Sequence, residues 1–164
     1  MIGLFTIMLI FFIYQHVNQL AAFCGLMIVA LIVEYFRQGT LVLAAKHFHH
    51  KEYDKVENLL SQIKKPEWLS KKRRGFYEYM MGGISLQKQD FDAAEIHYEL
   101  ATQYPLRTVN DHVAALVHVA NISIRQGKYD KADAYLQLAL QNGDKITAKM
   151  KAVIDRLKQE LKKH

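Results

Sequence analysis

The sequence predicts an all-α protein: a transmembrane helical hairpin at the N-terminus, then a short α-solenoid, then a C-terminal capping helix. Two observations favour this fold class. An aromatic residue followed by aspartate recurs at Tyr53, Phe91 and Tyr129, so both intervals are 38 residues. Self-similarity at such a period is typical of stacked helical repeats. In addition, no Lys, Arg, Asp or Glu precedes Glu34, whereas the rest of the chain carries a formal net charge of +6.

The predicted domain boundaries follow this change in composition. Residues 1–36 are the membrane anchor, residues 37–142 are three helix pairs, and residues 143–164 are the capping helix. The single cysteine, Cys24, excludes an internal disulfide. No basic residue precedes the apolar run and no convincing small-residue cleavage site follows it, which argues against a cleaved signal peptide.

The apolar leader is too long for one straight span. The 33 residues before the first charge would form a helix about 50 Å long, whereas the hydrocarbon core is about 30 Å thick. The polar stretch "QHVNQ" at residues 15–19 interrupts its middle. We therefore predict a tight hairpin with arms at about 2–15 and 20–36. The alternatives are one span at about 18–36 with an interfacial first helix, or a soluble buried helix pair.

Positive charge predicts the orientation of this anchor. Arg37, Lys46, Lys51 and Lys55 follow the second arm, while the hairpin turn contains no Lys or Arg. Because positive residues accumulate on the cytoplasmic flank of a membrane segment, we expect the repeat domain in the cytoplasm. The anchor would lie in the cell membrane or an inner membrane.

Each repeat predicts a pair of helices. A small or β-branched residue stands three positions after each aromatic, and another small residue stands nine positions before it: Val56, Ala94 and Ala132; Ala44, Gly82 and Ala120. Spacings of three and four place such residues on one helical face. The predicted repeat helices span about 37–49, 52–64, 69–88, 91–104, 108–126 and 129–141. A last helix at about 145–162 has one polar face, as the end of a repeat array requires.

The second and third units resemble the tetratricopeptide repeat (TPR) family. The shared features are Gly82, Phe91, Ala94, Tyr98 and Ala101 in the second unit and "ANISIRQGKYDKADAYLQLAL" in the third. The resemblance covers about residues 37–142, including a degenerate first unit in which Val56 and Ile63 replace alanines. The family's usual period is about 34 residues. We place the additional residues of this chain in the links "KKPEWLSKK" and "YPLRTVND".

The resemblance implies a binding groove. In this family the first helices of successive units line a concave surface that binds peptides or other proteins. Carried over to this chain, the predicted groove residues are Phe48, Phe76, Tyr79, Gly83, Leu86, Val117, Asn121 and Arg125. Phe76 and Tyr79 with Gly83 are expected to form a flat aromatic site with space above it. Alternatively, Phe48, Leu86 and Ile124 are core residues or are covered by the last helix.

No motif in the sequence predicts catalysis. It contains no glycine-rich phosphate loop, no nucleophile elbow and no cysteine pair for a metal. His47 and His50 are spaced three residues apart, but no third ligand stands at a fixed spacing from them. We therefore expect a non-enzymatic protein without a metal or cofactor.

A basic cluster in the first link has three interpretations. Its residues are Lys64, Lys65, Lys71, Lys72, Arg73 and Arg74. It is a solvated turn, or it contacts anionic lipid headgroups, to which each nearby Lys or Arg contributes about 1 kcal/mol. Nucleic acid is not an expected partner, because basic and aromatic residues do not alternate as they do in such binding sites.

Two functions fit these predictions. The first is a membrane-anchored adaptor whose groove binds a partner protein or peptide for recruitment or complex assembly. The second is a structural subunit of a larger membrane complex, which packs through its hairpin. The lipid bilayer is a predicted partner in both, and the sequence leaves the oligomeric state open.

Overall fold

The computed structural model describes residues 2–14, 18–142 and 145–163. Within these ranges every regular element is helical, which confirms the predicted all-α class. The chain divides into two compact units, Met1–Leu43 and Ala44–His164. Residues 15–17, which belong to the predicted hairpin turn, lie outside the described residues.

The first unit contains the first apolar helix of the leader and most of the second. Helix α1 spans Ile2–Tyr14 and helix α2 spans Asn18–His49. Helix α2 therefore includes both the second arm, predicted at about 20–36, and the first repeat helix, predicted at about 37–49. Within the described ranges, no helix combines the length and the apolar character needed to cross a membrane. The transmembrane hairpin remains a prediction.

The second unit contains the repeats. After the end of α2 come α3 (Tyr53–Leu60), α4 (Lys71–Gln87), α5 (Phe91–Thr102), α6 (Val109–Arg125), α7 (Tyr129–Leu140) and α8 (Ala148–Leu161). Corresponding helices start 38 residues apart, so the period read from the sequence is confirmed. Helix α3 ends earlier than predicted, because the Ser61 hydroxyl donates to the Asn58 carbonyl at 2.9 Å and a 3-10 turn at Pro66–Trp68 follows.

The turn between the two helices of a repeat has the same geometry in all three repeats. Lys51, Gln89 and Gly127 adopt positive φ angles of 59°, 64° and 72°. The next residue in each turn donates its backbone N–H to the carbonyl five residues earlier. These hydrogen bonds join Glu52 to His47 at 3.1 Å, Asp90 to Ser85 at 2.9 Å and Lys128 to Ser123 at 2.8 Å. This is the Schellman motif, which closes a helix on a left-handed residue. Glycine occupies only the third turn, although it tolerates that conformation best.

The small residues named by the repeat lie where the two helices of a unit meet. Val56, Ala94 and Ala132 are completely buried. Within the third repeat, Ala120 of α6 and Ala132 of α7 belong to the same core cluster. Another core cluster joins α5 to α6 of the next repeat, and includes Ala94, Tyr98, Val119 and Ile122. Close approach of the helices therefore depends on side chains too small to separate them.

Helix α8 closes the array as predicted. Ile154 and Leu157 of α8 are buried in a second cluster with residues of α6 and α7. Thr147 caps its first turn by accepting from the Met150 amide at 3.4 Å. The last helix thus covers apolar surface that the third repeat would otherwise expose to water.

Candidate binding surface

Five rings from successive helices form one aromatic cluster: Phe48, Tyr53, Tyr79, Tyr98 and His118. The centroid of the Phe48 ring lies 5.6 Å from that of Tyr53 and 6.0 Å from that of Tyr79. The Tyr79 and Tyr98 centroids are 5.6 Å apart, and His118 stacks on Tyr98 at 4.5 Å. Edge-to-face and stacked pairs at these separations are favourable. The cluster therefore joins all three repeats.

The structure fills the space that was predicted above Gly83. A Cβ atom at Gly83 would lie 2.6 Å from the Phe48 ring, and one at Gly82 would lie 2.9 Å from the Tyr98 ring. The expectation of an open aromatic site on Phe76, Tyr79 and Gly83 is therefore wrong, because the Phe48 ring occupies the space into which a side chain at Gly83 would project. The two glycines serve to let these rings approach the α4 backbone.

Burial sets the chemical state of the cluster. It raises the pKa of Tyr79 to about 12 and raises that of Tyr98 further. It lowers the pKa of His118 to about 4. The imidazole is therefore neutral at pH 7 and packs as an aromatic ring, with no charge available for an acidic ligand.

The remaining predicted groove residues differ in exposure. Val117 is 6% exposed and belongs to the cluster that α8 covers, and Leu86 packs against the α5–α6 cluster. Phe76 and Asn121 are half-buried, and Arg125 is exposed. The Arg125 guanidinium lies 5.6 Å from the centroid of the Phe91 ring. Of the predicted groove residues, Arg125 is the exposed one, and Phe76 and Asn121 are half-buried positions outside the aromatic cluster.

Helix α4 contains a buried carboxylate that no sequence pattern predicts. Glu78 is 1% exposed. Arg74 Nη2 lies 2.6 Å from Glu78 Oε1, and His97 Nδ1 lies 2.6 Å from Glu78 Oε2. The spacing of four residues between Arg74 and Glu78 was visible in the sequence, but His97 comes from α5 and gave no such signal. Arg74, predicted to contact lipid, therefore points into the repeat domain instead.

A second carboxylate links the second repeat to the third. Glu95 accepts from Ser123 at 3.2 Å and from Lys128 at 2.7 Å, and pairs with Lys131 at 2.9 Å. Burial alone would raise the pKa of Glu95, but the two ammonium groups lower it. This network supports the α5–α6–α7 packing.

The histidines near the end of α2 show no metal arrangement. His47 pairs with Glu52, and Lys55 donates to the same carboxylate at 2.8 Å. Hydrogen bonds from Lys55 and His47 lower the pKa of Glu52 to about 2. Across the described part of the chain, no group of three His, Cys, Asp or Glu side chains is placed to hold a metal ion.

The repeated helix pairs, their Schellman turns and the small residues between helices define a TPR-type α-solenoid. A family described as the SusR N-terminal TPR domain matches residues 15–155. The chain belongs to this family. No curated protein and no solved structure matches this chain.

Proposed function

We propose that this protein is a non-enzymatic adaptor held at a membrane, whose TPR domain binds a partner protein or peptide. Membership of a TPR family supports the role in binding a partner protein. Such repeats present an extended surface that is suited to a polypeptide partner. The half-buried Phe76 and Asn121 and the exposed Arg125 supply an aromatic contact, an amide and a cation on helices α4 and α6.

The exposed apolar side chains of α1 and α2 support the membrane location. Leu4, Ile7, Ile10, Phe23 and Leu26 are each at least 60% exposed. A large contiguous apolar surface marks a membrane or protein contact. The absence of charged residues before Glu34 favours lipid as the contact, and the basic residues that follow favour a cytoplasmic repeat domain.

Cysteine labelling of intact cells tests this location. In a Cys24→Ser background, an impermeant thiol reagent should modify Asn18→Cys in the predicted hairpin turn. It should not modify Gln141→Cys at the end of α7 until the membrane is permeabilised. Labelling of Gln141→Cys in intact cells would contradict the proposed orientation. If neither cysteine is labelled even after permeabilisation, the reagent does not reach these two positions, and cysteines at neighbouring positions give the answer.

The binding surface has its own test. Arg125→Glu should weaken capture of the partner from detergent extract by about tenfold or more, because a contact at the centre of an interface often contributes 2 kcal/mol. Arg156→Glu on α8 is the matched control, since Arg156 is also exposed and the change in charge is identical. Phe76→Ala should act in the same direction as Arg125→Glu.

The alternative function, a structural subunit of a membrane complex, predicts a different result. The exposed apolar surface of α1 and α2 is the observation that favours it. Replacing residues 1–36 with an unrelated anchor should preserve capture by an adaptor and abolish it for a subunit. If Arg125→Glu and Arg156→Glu capture the partner equally and the anchor exchange abolishes capture, the adaptor proposal is wrong.

A further inference from the structure

The link between α3 and α4 presents a cluster of lysines around an exposed tryptophan. We call Lys64, Lys65, Trp68, Lys71 and Lys72 the basic loop. All four lysines are exposed. The one carboxylate in residues 61–73 is Glu67, so the surface of this link is strongly cationic.

The backbone holds Trp68 outward. The Trp68 N–H donates to the Lys65 carbonyl at 3.1 Å, and the Leu69 N–H donates to the Pro66 carbonyl at 3.1 Å. Leu69 is 9% exposed and fixes this turn to the repeat domain, whereas the adjacent Trp68 is 64% exposed. Packing of Leu69 therefore fixes the position of the turn and leaves the Trp68 side chain largely exposed to water.

The indole and the lysines form an amphipathic surface. The Lys65 ammonium lies 4.2 Å from the centroid of the Trp68 ring. A tryptophan ring is favoured at the boundary between hydrocarbon and water, and lysine stems reach past apolar surface to place their charge among headgroups. This combination fits a surface that is apolar beneath and anionic above.

We propose that the basic loop docks on anionic lipid headgroups, with the Trp68 ring in the membrane interface. Single-stranded nucleic acid fits less well, because binding of that kind uses several aromatic side chains on which successive bases stack. Trp68 is the one aromatic residue in the loop. The inference deepens the lipid contact of the proposed function and rests on it for the membrane location, but the loop can be tested whether or not residues 1–36 insert.

The single tryptophan of the chain makes the test direct, since all tryptophan fluorescence comes from Trp68. The full chain is reconstituted with vesicles of phosphatidylcholine, alone or mixed with phosphatidylglycerol. With the anionic mixture, Trp68 emission should move to shorter wavelength and brominated lipid should quench it. High salt should reverse both effects, because it screens exposed charges. Neutral vesicles should produce neither effect.

Matched lysine variants test the role of charge. Each lysine near an anionic surface contributes about fivefold to binding. Changing Lys64, Lys65, Lys71 and Lys72 to Gln should therefore weaken docking on the order of a hundredfold or more, and the quenching should disappear. The control changes Lys149, Lys151, Lys162 and Lys163 to Gln. These lysines are exposed and lie in α8 or directly after it, so the control removes the same amount of charge from another surface.

Three results would overturn the proposal: equal Trp68 quenching in neutral and anionic vesicles, equal loss in the two sets of variants, or protection of Trp68 from acrylamide by single-stranded RNA but not by anionic lipid. Flotation of the chain with neutral vesicles separately reports membrane residence. Flotation without quenching in anionic vesicles rejects the basic loop alone, and quenching without flotation in neutral vesicles rejects the anchor alone.

Discussion

Arg74→Met should lower the free energy of unfolding by about 3 kcal/mol or more. Glu78 is 1% exposed and its carboxylate lies 2.6 Å from Arg74. Removing the guanidinium leaves this buried carboxylate with His97 as its remaining hydrogen-bond partner, and an uncompensated buried charge is costly. Urea titration of the full chain in mild detergent at pH 7, followed by circular dichroism, measures the loss as a lower midpoint.

Two further variants identify the cause of that loss. Arg107→Met removes an exposed arginine and should change the midpoint little. The double variant Arg74→Met with Glu78→Leu replaces the pair with apolar side chains, and it should be more stable than Arg74→Met alone. If Arg74→Met costs no more than Arg107→Met, the carboxylate does not depend on Arg74.

Gly82→Ala should destabilise the protein by about 2 kcal/mol, although alanine is the better helix former. The added Cβ atom would lie 2.9 Å from two carbons of the Tyr98 ring. Tyr98 is 2% exposed and is stacked against His118, so its ring has little room to move. The same urea titration reports the change.

Gly39→Ala is the control for helix propensity. Nothing lies within 4 Å of a Cβ atom built at Gly39, which also lies inside a helix. This substitution should therefore be neutral or should stabilise the chain by up to about 1 kcal/mol. A loss of stability at Gly39 as large as that at Gly82 would show that contact with Tyr98 is not the cause.

The sequence predicted the repeats well because their signal is local and periodic. The 38-residue interval and the positions of Ala94 and Ala132 follow from which residues face a neighbouring helix. The end of α3 was placed too late, since the Ser61 hydroxyl bond gave no periodic signal. Boundaries of this kind depend on local competition for backbone groups.

The candidate site was harder to predict because it depends on side chains from different helices. Phe48 lies 35 positions before Gly83 in the sequence, yet its ring covers that glycine. The burial of Glu78 depends in the same way on contacts with Arg74 in its own helix and with His97 of α5. TPR positions describe which way a residue points, but they do not state which neighbouring ring fills the space above it.

The Schellman turns have a consequence for how the chain folds. Lys51 and Gln89 each hold a left-handed conformation that costs an ordinary residue about 1 kcal/mol, whereas Gly127 avoids this cost. In a linear array each unit interacts mainly with its neighbours, so the cost stays local, and we expect nucleation at α6 and α7. Amide exchange during refolding would record this order as earliest protection there. Translation releases the first unit first, so the direction of synthesis and the direction of folding oppose each other.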